Sequence, residues 1–250
     1  MRADEVTEVI VGSETKLGKT AVLTGASRGI GKAAANRILS QRADYEAIVL
    51  VARDSAYFNA TVEELRKAYP HKSVHKCPAD LSDPASVDTV YAYLAEHDLE
   101  ANAIINNAGY TNPKSINAVK IGDFEHTLRT NLISPFRMVQ AAIEADHELE
   151  LVINVASTAG MNGRAGWLTY SASKAAVINM SEVMREELSP YDVNVVCISP
   201  GRCATDLRKT LAPDEDPKTI MQPSQVGDII AFLMSPEGRL IDSKNIVVRT

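Results

Sequence analysis

The sequence predicts an α/β fold, in which one doubly wound parallel sheet of about seven strands carries helices on both faces. Short apolar segments alternate with segments of helical period along almost the whole chain, which is the pattern of βαβ units. The strand candidates are continuous apolar runs, as expected for strands that are covered on both faces. No repeat, low-complexity tract or linker interrupts this pattern, so we predict a single domain.

The predicted elements alternate from strand to helix along the chain. Strand candidates cover residues 20–24, 47–51, 73–77, 103–106, 151–155, 193–198 and 246–248. Helix candidates cover residues 30–41, 56–69, 84–97, 121–145, 170–188 and 224–234. Two of these helices carry start signals, because Ser82-Asp83-Pro84 and Pro223-Ser224 combine a capping residue with a proline. We expect residues 1–18 to form an N-terminal extension and residues 19–250 to form the domain.

Composition and charge exclude several classes of function. The chain has 250 residues, a net charge of −6 and no run of basic residues, which argues against nucleic acid as a partner. Its three cysteines lack C-x-x-C spacing, so we expect reduced thiols in the cytoplasm. His71, His75 and Cys77 are the closest cluster of possible metal ligands, but no further ligand type lies beside them. No metal site is therefore predicted.

No segment predicts a membrane partner or a signal peptide. No stretch of the chain approaches the roughly 18 apolar residues of a membrane-spanning helix. Acidic residues interrupt the N-terminal segment, where Val9-Ile10-Val11 is the apolar run, and this run is too short for the apolar region of a signal peptide.

A glycine-rich turn follows the first strand candidate directly and leads into the first helix candidate. Its sequence is Thr24-Gly25-Ala26-Ser27-Arg28-Gly29-Ile30-Gly31. Glycines at such a turn allow a sharp bend and close approach to a pyrophosphate, and the helix N-terminus favours its negative charge. The spacing is G-x-x-x-G-x-G rather than the common G-x-G-x-x-G. A plain glycine-rich turn is the alternative, and the strand–turn–helix context favours dinucleotide binding.

The residues after the second strand candidate favour NADP(H) over NAD(H). An NAD enzyme usually places an acid there for the ribose 2′-hydroxyl, whereas this chain places Arg53 after Ala52. Together with Arg28, Arg53 could clamp a 2′-phosphate. Two alternatives stay open: Asp54 could serve the ribose diol if the strand ended one residue later, and both arginines could be solvated surface residues.

Two further strand ends carry residues that suit the cofactor. Asp80-Leu81 follows the third strand candidate and suits an adenine edge, with a helix-capping loop as the alternative. Asn106-Asn107-Ala108-Gly109 closes the fourth, where the amides can tie strand ends together. In an open parallel sheet the ligand binds at these carboxyl ends.

Tyr170 and Lys174 are the candidate proton-transfer residues. Their i, i+4 spacing places them on one face of a helix, and an ammonium beside a phenol lowers the pKa of the phenol. A tyrosine tuned in this way can exchange a proton with a carbonyl or alcohol oxygen. Ser157, thirteen residues before Tyr170, could hold the same oxygen from the end of a neighbouring strand.

These motifs together resemble the short-chain dehydrogenase/reductase family, in its NADP(H)-preferring type and with its Rossmann-like fold. The resemblance covers roughly residues 19–206 and implies a catalytic tetrad of Asn131, Ser157, Tyr170 and Lys174. Tyr170 would be the acid/base, Ser157 would orient the substrate oxygen, and Lys174 would lower the pKa of Tyr170 and bind the nicotinamide ribose. Asn131 would hold a water molecule of a proton relay.

The resemblance also implies the residues that contact the cofactor. Pro200-Gly201 and Thr205 would lie at the nicotinamide end, with Thr205 near the carboxamide. The full predicted set is Gly25, Ser27, Arg28, Gly29, Ile30, Gly31, Arg53, Asp80, Leu81, Asn107, Ala108, Gly109, Tyr170, Lys174, Pro200, Gly201 and Thr205.

On the substrate side, the chain departs from the family pattern in a segment of about residues 203–222, which is expected to cover the substrate. This segment is short, and it begins with the basic residues Arg202, Arg208 and Lys209, which Asp214, Glu215 and Asp216 follow. The basic residues could bind a phosphate or carboxylate, as in reductases of pentose phosphates, but we favour solvated lid residues. Arg164 and Trp167 precede Tyr170 and are expected, with Ser157 and Tyr170, to border the substrate. Trp167 could instead contact a second subunit.

The sequence thus predicts an NADP(H)-dependent enzyme that transfers a hydride between nicotinamide and a carbonyl or secondary alcohol of a small molecule. The alternatives are a sugar-phosphate reductase, an epimerase or dehydratase on the same scaffold, and a non-catalytic NADP-binding module. A homo-oligomer is expected. A dimer through the two long helices is favoured over a tetramer, because the chain lacks the glycine-rich tail on which the tetramer contact of the family is built.

Overall fold

The computed structural model describes residues 18–241 and 243–250. Residues 1–17, most of the predicted N-terminal extension, lie outside the described residues. The described residues form one seven-stranded parallel sheet with the order β3-β2-β1-β4-β5-β6-β7. Its strands are β1 (Lys19–Thr24), β2 (Tyr45–Ala52), β3 (Ser73–Pro78), β4 (Ala103–Asn106), β5 (Leu151–Val155), β6 (Asn194–Pro200) and β7 (Ile246–Val248).

Eight α-helices connect the strands of the described chain. They are α1 (Gly29–Gln41), α2 (Ala56–Ala68), α3 (Ser86–Glu96), α4 (Ile121–Leu128), α5 (Ser134–Glu144), α6 (Leu168–Leu188), α7 (Asp206–Leu211) and α8 (Pro223–Leu233). No helix of the described chain combines the length and the apolar character that a membrane crossing requires.

Two apolar cores, one on each face of the sheet, hold the fold together. Consecutive strand residues contribute to opposite cores: Leu23 and Ile105 pack on one face, and Val22 and Ile104 on the other. Helices α1, α2 and α8 cover the first face, and α3, α5 and α6 cover the second. The inner strands of the sheet are thus buried on both sides, as predicted, whereas the edge strands β3 and β7 are partly exposed.

The predicted helix 121–145 is helical throughout Ile121–Glu144 but contains a π-helical turn that the sequence did not show. It consists of α4, a π-helical turn over Arg129–Ile133, and α5, and the backbone N–H of Ser134 donates to the Arg129 carbonyl. Pro135 stands four residues after Asn131 and has no N–H, so the Asn131 carbonyl lacks its α-helical donor. Single π turns of this kind are frequent at functional sites. The other boundaries shift by one turn or less: α3 begins at Ser86 and α6 at Leu168.

Gly25 is the position where the fold most clearly requires glycine. Its φ is +67°, and a Cβ there would lie 2.8 Å from the Cα of Ala108. We expect Gly25→Ala to lower the free energy of unfolding by more than about 1 kcal/mol, measured by urea denaturation. The matched control is Gly122→Ala in α4, where a Cβ would meet no atom within 4 Å and helix propensity favours alanine. Equal stability of the two variants would contradict a requirement for glycine at position 25.

Candidate active site

A cavity of about 770 Å³ opens at the carboxyl ends of the strands, where the crevice of an open parallel sheet lies. Most of the sequence-predicted site residues line it, namely Gly25, Ser27, Arg28, Gly29, Ile30, Arg53, Asp80, Leu81, Asn107, Ala108, Gly109, Ser157, Arg164, Trp167, Tyr170, Lys174, Pro200, Gly201 and Thr205. Gly31 and Asn131 do not line it. Gly31 packs behind the turn, where a Cβ would lie 2.1 Å from the Gly25 carbonyl oxygen, and Asn131 is 1% exposed.

The glycine turn is fixed to the end of β4 by hydrogen bonds. The Thr24 hydroxyl accepts from the backbone N–H groups of Asn107 and Ala108, at 2.9 and 3.0 Å. The Asn107 side chain donates to the carbonyls of Thr24 and Gly25, at 3.0 and 3.3 Å. The predicted tie between strand ends is therefore present, and the backbone of the turn is held in one position.

The N-terminus of α1 offers unpaired donors to this cavity. Helix α1 begins at Gly29, and the residue before it, Arg28, makes no side-chain cap. Gly29 and Ile30 both line the cavity. The first N–H groups of a helix have no partner within the helix, and together with the helix dipole they favour a phosphate. The turn therefore fits a pyrophosphate.

Two arginines lie on the same side of the cavity, around the end of β2. Arg53 directly follows this strand, and Arg28 forms an exposed ion pair with Asp206 at 3.0 Å. Asp54, the alternative partner for a ribose diol, forms an ion pair with Lys76 at 2.7 Å. The positive groups here thus face the cavity, while the acid beside them is engaged by a lysine.

Asp80 makes the contact of a capping loop and also lines the cavity, and its contact with an adenine stays a prediction. Its carboxylate accepts from the backbone N–H of Ser82 at 3.0 Å, as a capping loop does, and it also lines the cavity. Burial raises the pKa of Asp80, but hydrogen bonds from Ser82 and the charges of Arg53 and His126 outweigh it, and the pKa falls below its ordinary value.

Tyr170, Ser157 and Lys174 line the same cavity. Tyr170 is buried and hydrogen-bonds to Ser157 through its side chain. Ser157 stands two residues beyond β5, where it caps a short 3-10 turn and accepts from the backbone N–H of Ala159 at 3.1 Å. The Lys174 ammonium donates to the Val155 carbonyl at 2.7 Å and lies 6.0 Å from the centre of the Tyr170 ring.

The predicted lowering of the Tyr170 pKa is wrong for this structure. Burial raises this pKa above its ordinary value, and the Ser157 hydrogen bond and the charge of Arg208 offset only part of the increase. Burial also lowers the pKa of Lys174 from 10.5 to about 8. The sequence showed the spacing of Tyr170 and Lys174, but not how deeply the fold buries both groups. Because burial removes water, it disfavours the charged form of each side chain.

The buried Lys174 makes stability depend on pH. Between about pH 8 and pH 10.5 the unfolded chain keeps the Lys174 proton, whereas the folded protein loses it. The contribution of Lys174 to the free energy of unfolding therefore rises with pH across this window. Methionine has no such proton, so the free energy of unfolding of Lys174→Met minus that of the native protein should fall as the pH rises across this window. Urea denaturation at several pH values measures this difference. Lys209→Met, at an exposed lysine, controls for loss of one charge. A constant difference for Lys174→Met would contradict the lowered pKa.

Asn131 is held in place by its side chain. Its amide nitrogen donates to the Tyr110 carbonyl at 3.0 Å and to the Ser173 hydroxyl at 2.9 Å, and its amide oxygen accepts from the backbone N–H of Tyr110 at 2.7 Å. The group of Asn131 that remains for a water molecule is therefore its backbone carbonyl, which the π-helical turn leaves without an α-helical donor. The sequence gave no sign of the contribution of Tyr110.

Arg208 is not the solvated residue that the sequence favoured. Its side chain is 13% exposed and binds Glu215 through two contacts, Nε to Oε2 at 2.5 Å and Nη2 to Oε1 at 2.8 Å. Its guanidinium also lies over the Trp167 ring, 5.4 Å from the ring centre. Arg202 is half-exposed and reaches Glu215 at 3.4 Å. The sequence showed these charges, but not the pairing that draws Arg208 into the cavity wall.

The segment around Arg208 is closed at its base. A parallel bridge joins Cys203 to Met221, in which the N–H of Ala204 donates to the Met221 carbonyl at 2.8 Å. Helix α7 lies between these ends, and residues of it line the cavity. That this segment covers the substrate stays a prediction.

Comparison with known proteins identifies the family. The sequence pattern of the short chain dehydrogenase family matches residues 19–216. The chain belongs to this family. Among its relatives is the 3-oxoacyl-(acyl-carrier-protein) reductase FabG of Vibrio cholerae, which is 30% identical over 92% of this chain and 96% of the relative.

Solved structures of other proteins share the fold. A short chain dehydrogenase from Burkholderia cenocepacia in complex with NADP has a TM-score of 0.81 and 27% identity, over 92% of this chain and 96% of that one. A blue fluorescent protein from a metagenomic library, in complex with NADPH, has a TM-score of 0.80 and 27% identity over the same shares. The predicted family and its Rossmann-like single-domain fold are confirmed, and the chain is a member of an oxidoreductase family. The predicted dimer stays a prediction.

Proposed function

We propose that this short chain dehydrogenase is an NADP(H)-dependent oxidoreductase that interconverts a carbonyl and a secondary alcohol of a small molecule. One observation carries the proposal: the Tyr170–Ser157 hydrogen-bonded pair lies on the wall of the same cavity as the uncapped N-terminus of α1. A proton donor and a phosphate-binding turn thus border one space, which is large enough for a cofactor and a small substrate.

The residues that line the cavity fit a nicotinamide dinucleotide that carries a 2′-phosphate. The glycine turn and the first N–H groups of α1 would hold the pyrophosphate, and Arg53 with Arg28 would hold a 2′-phosphate. NADP is favoured over NAD because Arg53 directly follows β2 and lines the cavity, while Asp54 beside it lines the cavity in an ion pair with Lys76 at 2.7 Å. The Burkholderia and metagenomic relatives were solved with NADP and NADPH, which supports this choice. When bound, the nicotinamide supplies or accepts the hydride.

The protein residues would then move and hold the proton. Burial keeps Tyr170 protonated, so its hydroxyl is set to donate to a carbonyl oxygen, with Ser157 holding the same oxygen. Lys174 would bind the nicotinamide ribose and take part in the relay. The Asn131 carbonyl would hold the relay water, since the Asn131 side chain is engaged by Tyr110 and Ser173.

The first test follows the absorbance of NADPH in the presence of aldehydes, ketones, diketones and sugar phosphates. We expect NADPH oxidation with at least one carbonyl class. An epimerase or dehydratase on this scaffold would instead keep nicotinamide bound through purification and convert substrate with no net absorbance change. Absence of any conversion across the panel, with NADPH bound, would favour a non-catalytic binding module.

A further inference from the structure

Two guanidinium groups meet at one aromatic ring on the substrate side of the cavity. Arg164 and Arg208 lie over the Trp167 ring, 5.0 and 5.4 Å from the ring centre. All three residues line the cavity that Tyr170 also lines. They belong to two separate segments, one before α6 and one within α7, so the fold rather than local sequence brings them together.

Arg208 is placed where its charge reaches the catalytic tyrosine. Arg208 is one of the groups that lower the pKa of Tyr170 against the effect of burial. Its side chain is mostly buried, so solvent screens this charge less than it screens a surface arginine. A group bound by Arg208 would therefore lie near the oxygen that Tyr170 protonates.

The arrangement already recognises a carboxylate. Arg208 binds Glu215 through both Nε and Nη2, which is the two-point geometry of arginine with carboxylates and phosphates. Arg164 has no carboxylate within ion-pair distance among the described residues, and its recorded side-chain contact is the Trp167 ring. One guanidinium thus holds an internal anion, and the other, which lies over the same ring, has none among the described residues.

We propose that the substrate carries an anionic group, a carboxylate or a phosphate, which binds to Arg164 and Arg208 beside Trp167 while its carbonyl lies at Tyr170 and Ser157. This inference rests on the proposed carbonyl reduction, because one substrate must place its anionic group at the arginines and its reacting carbonyl at Tyr170. The substrate anion would compete with Glu215 for Arg208, or would join it through the remaining guanidinium nitrogens and Arg164.

Matched substrate pairs test the anion. The probes are acetoacetate and levulinate with their methyl esters, and dihydroxyacetone phosphate with dihydroxyacetone, each assayed for kcat/KM with NADPH. We expect the charged member of at least one pair to exceed its neutral partner by about 10- to 100-fold, the range for hydrogen bonds to charged groups. The first two pairs report a carboxylate and the third reports a phosphate. Neutral members that match or exceed their charged partners in every pair would overturn the proposal.

Substitution of the arginines locates the binding site. We expect Arg164→Gln and Arg208→Gln to remove most of the preference for the charged member, read as the ratio of the two kcat/KM values, whatever the change in kcat/KM for the neutral member. The matched control is Lys209→Gln, because Lys209 is the exposed neighbour of Arg208 on α7 and does not line the cavity. A role of Arg208 in holding the lid alone would lower kcat/KM equally for both members, and that result would contradict anion binding.

Calorimetry separates this inference from the proposed function. The same charged probes are titrated into the protein saturated with NADP+, with the native chain compared against Arg208→Gln and Lys209→Gln. If Arg208→Gln weakens binding of a charged probe at least tenfold, the anion site is supported, even if no probe is reduced. Absence of reduction of every probe would count against the proposed carbonyl reduction. Turnover of neutral probes without any binding of the charged ones would overturn the anion site and leave the reduction intact.

Discussion

Tyr170→Phe is expected to lower turnover by about 10²- to 10⁴-fold, the contribution of a positioned general acid, while NADPH affinity changes less than about threefold. The phenylalanine ring keeps the volume of the buried side chain and removes the hydroxyl that bonds to Ser157. NADPH absorbance gives the turnover of the best substrate of the carbonyl panel, and fluorescence titration gives the affinity for NADPH.

The control for this substitution is Tyr191→Phe. Tyr191 is 75% exposed and lies beyond the end of α6, away from the cavity, so loss of its hydroxyl should leave both measurements unchanged. Turnover retained by Tyr170→Phe would refute the assignment of Tyr170 as the proton donor. Loss of NADPH binding together with turnover would mean that the hydroxyl holds the cofactor rather than the substrate oxygen.

Arg53→Ala is expected to weaken NADPH binding by about 10- to 100-fold, since charge-assisted hydrogen bonds to a phosphate contribute about 1.5–3 kcal/mol. NADH, which lacks the 2′-phosphate, should lose less than about threefold. Fluorescence titration with both cofactors gives the two affinities. Arg53 directly follows β2 and lines the cavity, as does Asp54, which forms an ion pair with Lys76.

Lys67→Ala provides the electrostatic control for Arg53→Ala, because Lys67 is exposed on α2 and does not line the cavity. Its removal lowers the positive charge of the protein by the same amount without touching the phosphate position. Equal weakening of NADPH and NADH by Arg53→Ala would mean that Arg53 does not bind the 2′-phosphate. If only Arg28→Ala discriminated between the two cofactors, Arg28 alone would be the phosphate ligand.

The features that the sequence predicted correctly are those set by local constraints. Buried strands must be apolar, so the seven strands and their alternation with helices could be read directly. Gly25 has a φ of +67°, so its turn requires glycine. The sequence also showed that this turn lies between a strand and a helix. The motifs at the strand ends followed, because parallel strands bring their carboxyl ends to one edge of the sheet.

The features that the sequence did not predict depend on contacts between distant residues. The π-helical turn at Asn131 accompanies side-chain bonds to Tyr110, which lies 21 residues away. The raised pKa of Tyr170 follows from burial that only the assembled fold creates. Arg208 and Glu215 were visible as charges, but their pairing depends on how the segment between Cys203 and Met221 folds back on itself.

Because Cys203 and Met221 are bridged, the intervening segment leaves and rejoins the body of the protein at one point. Insertions or deletions at its tip therefore leave the separation of its ends unchanged, and the entropy of closing such a loop rises by only about 0.6 kcal/mol for each doubling of its length. The segment that we propose to contact substrate can thus vary in length and composition independently of the sheet and the glycine turn. Diversification of substrate range on this scaffold, whether by evolution or by engineering, should concentrate there.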